Sequence, residues 1–112
     1  MSKHLTFALA ALYLSLSISG AEAKKLLLTC VDGKQKYEVT FDTVTKNIAT
    51  THRLFTRPVY AERFEEHDDG HLLVWGVMDL GTTKRNFLAH FGREKWVKHF
   101  TGYNDVTTHE CI

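Results

Sequence analysis

Residues 24–112 lack the side chains that several hydrolytic and redox mechanisms require. All four serines of the chain lie at positions 2, 15, 17 and 19. Serine-nucleophile catalysis is therefore excluded for everything that follows residue 23. The chain has only two cysteines, Cys30 and Cys111, and they form no C-x-x-C pair, so the sequence gives no support to a thioredoxin-type function.

Strong net charge and long apolar runs are also missing. The formal net charge is +1, so electrostatics favour neither nucleic acid nor an anionic membrane as a partner. The most apolar segment, residues 5–18, is shorter than the roughly 20 residues that a membrane-spanning helix needs. We therefore expect no nucleic-acid partner and no membrane span in the mature protein.

The N-terminal segment has the order of parts that is typical of a secretory signal. Lys3 and His4 precede the apolar segment, and Ala21-Glu22-Ala23 follows it as an A-x-A cleavage site. We expect residues 1–23 to be a removed signal peptide and residues 24–112 to form one small domain. The predicted location is periplasmic or secreted. The alternative is an uncleaved membrane anchor.

The two cysteines flank nearly all of the predicted mature domain. In an exported chain, two cysteines most simply pair with each other. We therefore predict a Cys30–Cys111 disulfide, with free thiols as the alternative. Such a bond would tie the first segment of the domain to its last.

Short apolar or alternating runs separated by turn signals predict an all-β fold. The clearest run has Tyr37, Val39 and Phe41 on one face, and Asp32-Gly33 and Asp69-Gly70 are strong hairpin turns. The eight predicted strands cover residues 25–31, 36–42, 48–55, 59–66, 71–80, 84–91, 96–101 and 106–111. A helix over residues 89–100 is the weaker alternative.

A barrel explains how the first and last predicted strands come together. In an up-and-down barrel these strands are neighbours, which suits a disulfide between them. We therefore predict an eight-stranded antiparallel meander barrel closed by one disulfide. A two-layer sandwich is the main alternative.

One hairpin carries most of the candidate functional residues. His67 and His71 flank a tight turn, and two imidazoles placed this way, together with a carboxylate, could hold a divalent metal. The acidic residues around them form a surface suited to a basic protein. The predicted protein-binding residues are Glu65, Glu66, Asp68 and Asp69, together with Tyr103 in a later turn.

The layout of the chain resembles a known family. A signal, a cysteine in the first strand, a β-meander and a final cysteine are the layout of the small periplasmic and membrane-bound inhibitors of c-type lysozyme. The resemblance implies a β-barrel that inserts a loop into the lysozyme cleft. The S-G-x-x-Y pattern of that family has no counterpart here. Thr101-Gly102-Tyr103 is only loosely similar to it, and Thr83-Lys84 is followed by Arg85 rather than glycine.

These observations predict a non-enzymatic binding protein of the cell envelope with no cofactor. Its sharper form is an inhibitor of a basic hydrolase such as lysozyme. The first alternative is a carrier of a small ligand or metal, and the second is a structural envelope protein. A third alternative is an enzyme that uses His90, His99 or His109, although no catalytic pattern surrounds them.

Overall fold

The computed structural model describes residues 24–102 and 104–112 as an all-β, antiparallel domain. The predicted signal peptide and Tyr103 lie outside the described residues. No helix within these two ranges is long and apolar enough to cross a membrane. The strands are β1 (Lys25–Asp32), β2 (Gln35–Asp42), β3 (Ile48–Thr50), β4 (Tyr60–Glu66), β5 (Leu72–Asp79), β6 (Lys84–Phe91), β7 (Trp96–Gly102) and β8 (Asp105–Glu110).

The strands form two sheets, and within each sheet consecutive strands of the chain are paired. The first sheet has the order β1-β2-β3, and the second has the order β4-β5-β6-β7-β8. Neither sheet closes on itself. The prediction of an antiparallel meander is confirmed. The helical alternative for residues 89–100 is wrong, because these residues belong to β6, β7 and the turn between them.

The third strand is shorter than predicted. It ends at Thr50 rather than at Phe55. The side chains of Thr50 and Thr51 bond to the backbone of Glu38 at 3.0 and 2.8 Å, and the chain then leaves the sheet. The segment that follows directs His52 and Phe55 into the protein, where both are buried.

Inward-facing apolar residues from both sheets form one core. The predicted face of β2 is confirmed, because Tyr37, Val39 and Phe41 are all buried. The most apolar predicted strand, β5, lies between two other strands, so both of its edges are paired. The core includes Leu28, Val39, Phe41 and Ile48 from the first sheet, and Val74, Phe87, Ala89 and Val97 from the second.

The Cys30–Cys111 disulfide is present and joins the two sheets. Its Cα atoms are 4.0 Å apart, and Cys111 directly follows β8. Two backbone hydrogen bonds between Thr29 and Ile112, of 3.0 and 2.9 Å, accompany it. The first strand of one sheet is thus held against the end of the last strand of the other.

Removal of this disulfide should destabilise the domain strongly. The bond links residues 81 positions apart, and the loop-closure entropy for that length corresponds to about 4.5 kcal/mol. We expect the free energy of unfolding of the Cys30→Ala/Cys111→Ala variant, measured in urea, to fall by about this amount. A reductant should destabilise the wild type similarly and leave the variant unaffected. An unchanged urea midpoint would contradict the prediction.

Candidate functional site

Three buried histidines meet inside the protein beside the disulfide. His52 follows β3, His99 lies in β7 and His109 lies in β8, and their exposed fractions are 1%, 3% and 6%. The rings of His52 and His99 have centroids 4.5 Å apart, and those of His99 and His109 are 4.7 Å apart. Residues from both sheets therefore contribute to one imidazole cluster, which consists of these three histidines.

Strand alternation explains why two of these histidines point inward. In β7, Val97 and His99 are buried, while Trp96, Lys98 and Phe100 lie half-buried on the other face. In β8, His109 is the one buried residue of the strand. On the inner face of the second sheet, β7 and β8 therefore contribute the polar side chains of His99 and His109 to the interior.

Tyr37 links two of the imidazoles. Its hydroxyl oxygen lies 2.6 Å from His109 Nδ1 and 3.1 Å from His99 Nε2. The hydroxyl has a single proton, so it donates to one nitrogen and accepts from the other. The Tyr37 side chain is 2% exposed, so these hydrogen bonds satisfy a polar group that has almost no access to water.

Asp32, at the end of β1, links His52 to His109. The backbone N–H of Leu54 donates to His52 Nδ1 at 3.1 Å, so His52 Nε2 carries the proton and donates to Asp32 Oδ2 at 2.8 Å. The second carboxylate oxygen of Asp32 lies 3.4 Å from His109 Nε2. The carboxylate thus fixes the orientation of one imidazole and contacts another.

Burial and the neighbouring groups set the protonation states of the cluster. Burial lowers the pKa of His99 to about 3, and it also lowers the pKa of His109. The hydrogen bond from His52 lowers the pKa of the Asp32 carboxyl, and burial raises the pKa of the Tyr37 hydroxyl. At neutral pH the cluster therefore contains one carboxylate, a protonated phenol and neutral imidazoles at His99 and His109.

The cluster has the composition of a transition-metal site. One ring nitrogen from each of His52, His99 and His109 lies within 4.8 Å of the others. Among residues 24–102 and 104–112, no other set of three histidine, cysteine or acidic residues meets this criterion. Tetrahedral zinc with Zn–N distances near 2.0–2.1 Å needs nitrogens about 3.3 Å apart. Ring movements of up to about 1.5 Å would therefore convert this arrangement into a three-histidine site.

A small cavity borders the cluster. Its volume is about 80 Å³, and Leu54, Thr101 and Thr107 line it together with Asp32 and the three histidines. This volume is large enough for an ion or a few water molecules, but it is too small for a drug-sized ligand. The arrangement therefore suits a small ion better than an organic molecule.

The histidines that the sequence analysis proposed as metal ligands lie elsewhere. The rings of His67 and His71 are close to each other, with centroids 4.4 Å apart, at the β4–β5 hairpin. His71 Nδ1 lies 2.6 Å from Asp69 Oδ1, and His67 Nε2 lies 3.7 Å from Glu65 Oε1. The predicted protein-binding residues Glu65, Glu66, Asp68 and Asp69 are all exposed. Tyr103 falls outside the described residues.

The imidazole cluster is not among the sites predicted from the sequence. From the sequence, His99 and His109 are candidates only for the enzymatic alternative, together with His90, which lies on the outer face of β6. His52 falls within the predicted third strand, residues 48–55, whereas the structure ends that strand at Thr50 and buries the His52 side chain. The alternation of β7 contained a usable signal, since it places His99 on the same face as the buried Val97.

Loss of the Tyr37 hydroxyl should destabilise the protein. Tyr37→Phe keeps the ring but leaves buried imidazole nitrogens of His99 and His109 without their partner, which costs about 1–3 kcal/mol. Urea denaturation should detect this change in the free energy of unfolding. The exposed Tyr60 offers a matched control, and Tyr60→Phe should have no measurable effect. Equal stabilities of the two variants would contradict the prediction.

Comparisons of this chain with protein-family models, with curated proteins and with solved structures gave no match. The geometry of the cluster and of the surface around the β4–β5 hairpin therefore provides the basis for a functional assignment.

Proposed function

We propose that this protein is an exported binding protein for a divalent transition-metal ion, with zinc as the first candidate. The observation that carries the proposal is the convergence of His52, His99 and His109, whose ring nitrogens lie within 4.8 Å of one another. Imidazole is a preferred ligand of zinc and copper, and three protein nitrogens leave a coordination position open. The small cavity beside the cluster would contain that position.

The groups around the histidines suit a metal site. Asp32 bonds to His52 Nε2 at 2.8 Å, and the backbone N–H of Leu54 bonds to His52 Nδ1 at 3.1 Å, so coordination by His52 would displace one of these two partners. Displacement of Asp32 would leave its carboxylate able to turn to the metal as a fourth ligand. The Tyr37 hydroxyl bonds to His99 and His109 and would orient their rings. Metal binding would replace part of this hydrogen-bond network with metal–nitrogen bonds, so the interior would keep its polar groups satisfied in both states.

The position of the cluster links metal binding to stability. His52 follows the last strand of the three-stranded sheet, whereas His99 and His109 belong to the five-stranded sheet. A metal bound by all three would join the sheets close to the Cys30–Cys111 bond. Because the unfolded chain does not hold these ligands together, the binding free energy would add to the free energy of unfolding.

Export also fits this role. The disulfide is typical of oxidising compartments outside the cytosol. Together with the leader-like residues 1–23, it supports a periplasmic or secreted protein. In that location the protein would hold or carry the metal as a binding protein rather than as an enzyme.

Zinc should bind to the interior and stabilise the protein. At free zinc 100 times above the dissociation constant, the free energy of unfolding should rise by about 2.7 kcal/mol. The ring-nitrogen NMR signals of His52, His99 and His109 should shift together at one equivalent. His99→Gln should abolish the stabilisation, whereas the exposed His67 serves as a control, and His67→Gln should retain it.

Two results would refute the metal assignment. One is zinc saturation of the wild-type protein without any shift of the three interior imidazole signals. The other is the same zinc-dependent stabilisation in His99→Gln as in the wild type. Because the first result comes from the unmodified protein, a folding defect in the variant does not weaken the test.

We also propose that the two sheets close into a barrel-like shell at the β1–β8 seam. The support comes from the Cys30–Cys111 bridge, the paired backbone hydrogen bonds of Thr29 and Ile112, and the contact between β3 and β4 on the opposite side. The Cys30→Ala/Cys111→Ala variant also tests this closure. The amide hydrogens of Thr29 and Ile112 should exchange much faster in the variant than in the wild type.

A second candidate function is the inhibition of a basic hydrolase, with lysozyme as the first target. The observation that favours it is the acidic end of the β4–β5 hairpin, where Glu65, Glu66, Asp68 and Asp69 are all exposed. Such a surface would attract a basic protein and speed its encounter. The layout resemblance to lysozyme inhibitors supports the same candidate, although the residues of their loop patterns are not matched.

Inhibition can be tested directly with the oxidised protein. At micromolar excess it should lower the rate of c-type lysozyme, and Glu66→Gln/Asp68→Asn should raise the inhibition constant about fivefold. Glu38 is exposed on β2, away from the hairpin, so Glu38→Gln should have no effect. Unchanged rates of c-type, g-type and i-type lysozymes would eliminate this candidate.

A further inference from the structure

A second group of imidazoles lies on the outer surface, separate from the interior cluster. His71 directly precedes β5, and His90 lies on the outward face of β6, with ring centroids 4.9 Å apart. Both side chains are partly buried, and both line a surface recess of about 610 Å³. The two rings thus share a sheltered position that remains open to solvent.

The hydrogen bonds of these two histidines fix which ring nitrogen is available. His71 Nδ1 lies 2.6 Å from Asp69 Oδ1, and His90 Nδ1 lies 2.6 Å from the backbone carbonyl oxygen of Glu94. Carboxylate and carbonyl oxygens only accept hydrogen bonds, so each neutral ring has its proton on Nδ1 and a lone pair on Nε2. Metal-binding histidines characteristically have this arrangement, in which an oxygen acceptor orients the ring from behind.

The backbone beneath the pair allows the rings to approach. A Cβ atom at Gly92 would lie 2.6 Å from His71 Cβ and 3.2 Å from His90 Cε1. The space that a side chain would need at this position is therefore filled by the two histidines. His90 also stacks on Trp96, with centroids 4.8 Å apart and ring planes 11° apart, which restrains its orientation.

We propose that His71 and His90 form a second metal site, which binds Cu²⁺ through their Nε2 atoms. Copper is the strongest binder of nitrogen ligands among the divalent first-row ions, so it is the ion that a site with few protein ligands retains best. Among the described residues, no third histidine, cysteine or acidic side chain brings a ligand atom within 4.8 Å of both, so the protein supplies two nitrogens. Water completes the coordination, so the ion is exchangeable, in contrast to an ion in the interior.

Tryptophan fluorescence provides a local reporter of this site. The chain has two tryptophans, and in the Trp75→Phe variant only Trp96, which stacks on His90, remains. Added Cu²⁺ should quench its emission. His71→Gln and His90→Gln should each raise the Cu²⁺ concentration needed for half-maximal quenching at least about tenfold. Asp69→Asn, which weakens the orienting acceptor, should raise it about tenfold.

Matched controls distinguish Cu²⁺ binding at this site from binding at the interior cluster and from nonspecific attraction of Cu²⁺ to the acidic hairpin. Each variant is made in the Trp75→Phe protein and normalised to its own metal-free emission. His99→Gln should leave the quenching curve unchanged, since His99 belongs to the interior cluster. Glu66 is exposed on the same hairpin and forms no ion pair with a histidine among the described residues, so Glu66→Gln should also leave the quenching curve unchanged.

Three outcomes would overturn the proposal. They are an absence of Cu²⁺ quenching in the Trp75→Phe protein, an unchanged half-quenching concentration in both His71→Gln and His90→Gln, and equal effects of Asp69→Asn and Glu66→Gln. Electron paramagnetic resonance of the Cu²⁺ complex supplies an independent check. In the His99→Gln protein, which lacks the complete interior cluster, coupling to imidazole nitrogens should be present, and it should be reduced in His99→Gln/His90→Gln.

Discussion

The Cys30–Cys111 bond fixes how the two sheets meet. It holds the first strand of one sheet against the end of the other sheet, where no continuous strand pairing exists. Residues two apart in an extended chain point to the same side. Asp32 therefore points the way Cys30 does, and His109 the way Cys111 does, so the bond brings a carboxylate oxygen and an imidazole nitrogen to 3.4 Å.

The polar interior beside this bond is stable only because its members satisfy one another. An unpaired polar group in such a place would cost about 1–3 kcal/mol. Here the Tyr37 hydroxyl hydrogen-bonds to His99 and His109. Asp32 and the backbone N–H of Leu54 hydrogen-bond to the two ring nitrogens of His52. A metal ion would offer the same imidazoles an alternative set of partners. In the interior cluster, a metal ion would replace existing hydrogen bonds of the imidazoles. In the outer His71–His90 pair, the hydrogen bonds are formed by Nδ1, so a metal could bind Nε2 without breaking them.

Local sequence patterns predicted most of the strands. They did not predict the features that depend on contacts between distant residues, namely the end of β3 and the imidazole cluster. The alternation of β2 and the two hairpin turns placed most strands within one or two residues, because side-chain period and turn chemistry are local properties. The third strand ended early, because Thr50 and Thr51 bond back to Glu38 and the chain then turns His52 inward. A single sequence cannot reveal that His52, His99 and His109 meet, because they are separated by as many as 57 positions.

The β-rich class, the predominantly local strand order and the disulfide can all be read from the amino-acid sequence. Those features follow from alternation, from turn residues and from there being only two cysteines to pair. The division of the strands into sheets of three and five, and the polar side chains beside the disulfide, become visible only in the folded protein. The reason is physical: the environment of a side chain depends on which distant strands pack over it, and strand alternation gives only the face on which it lies.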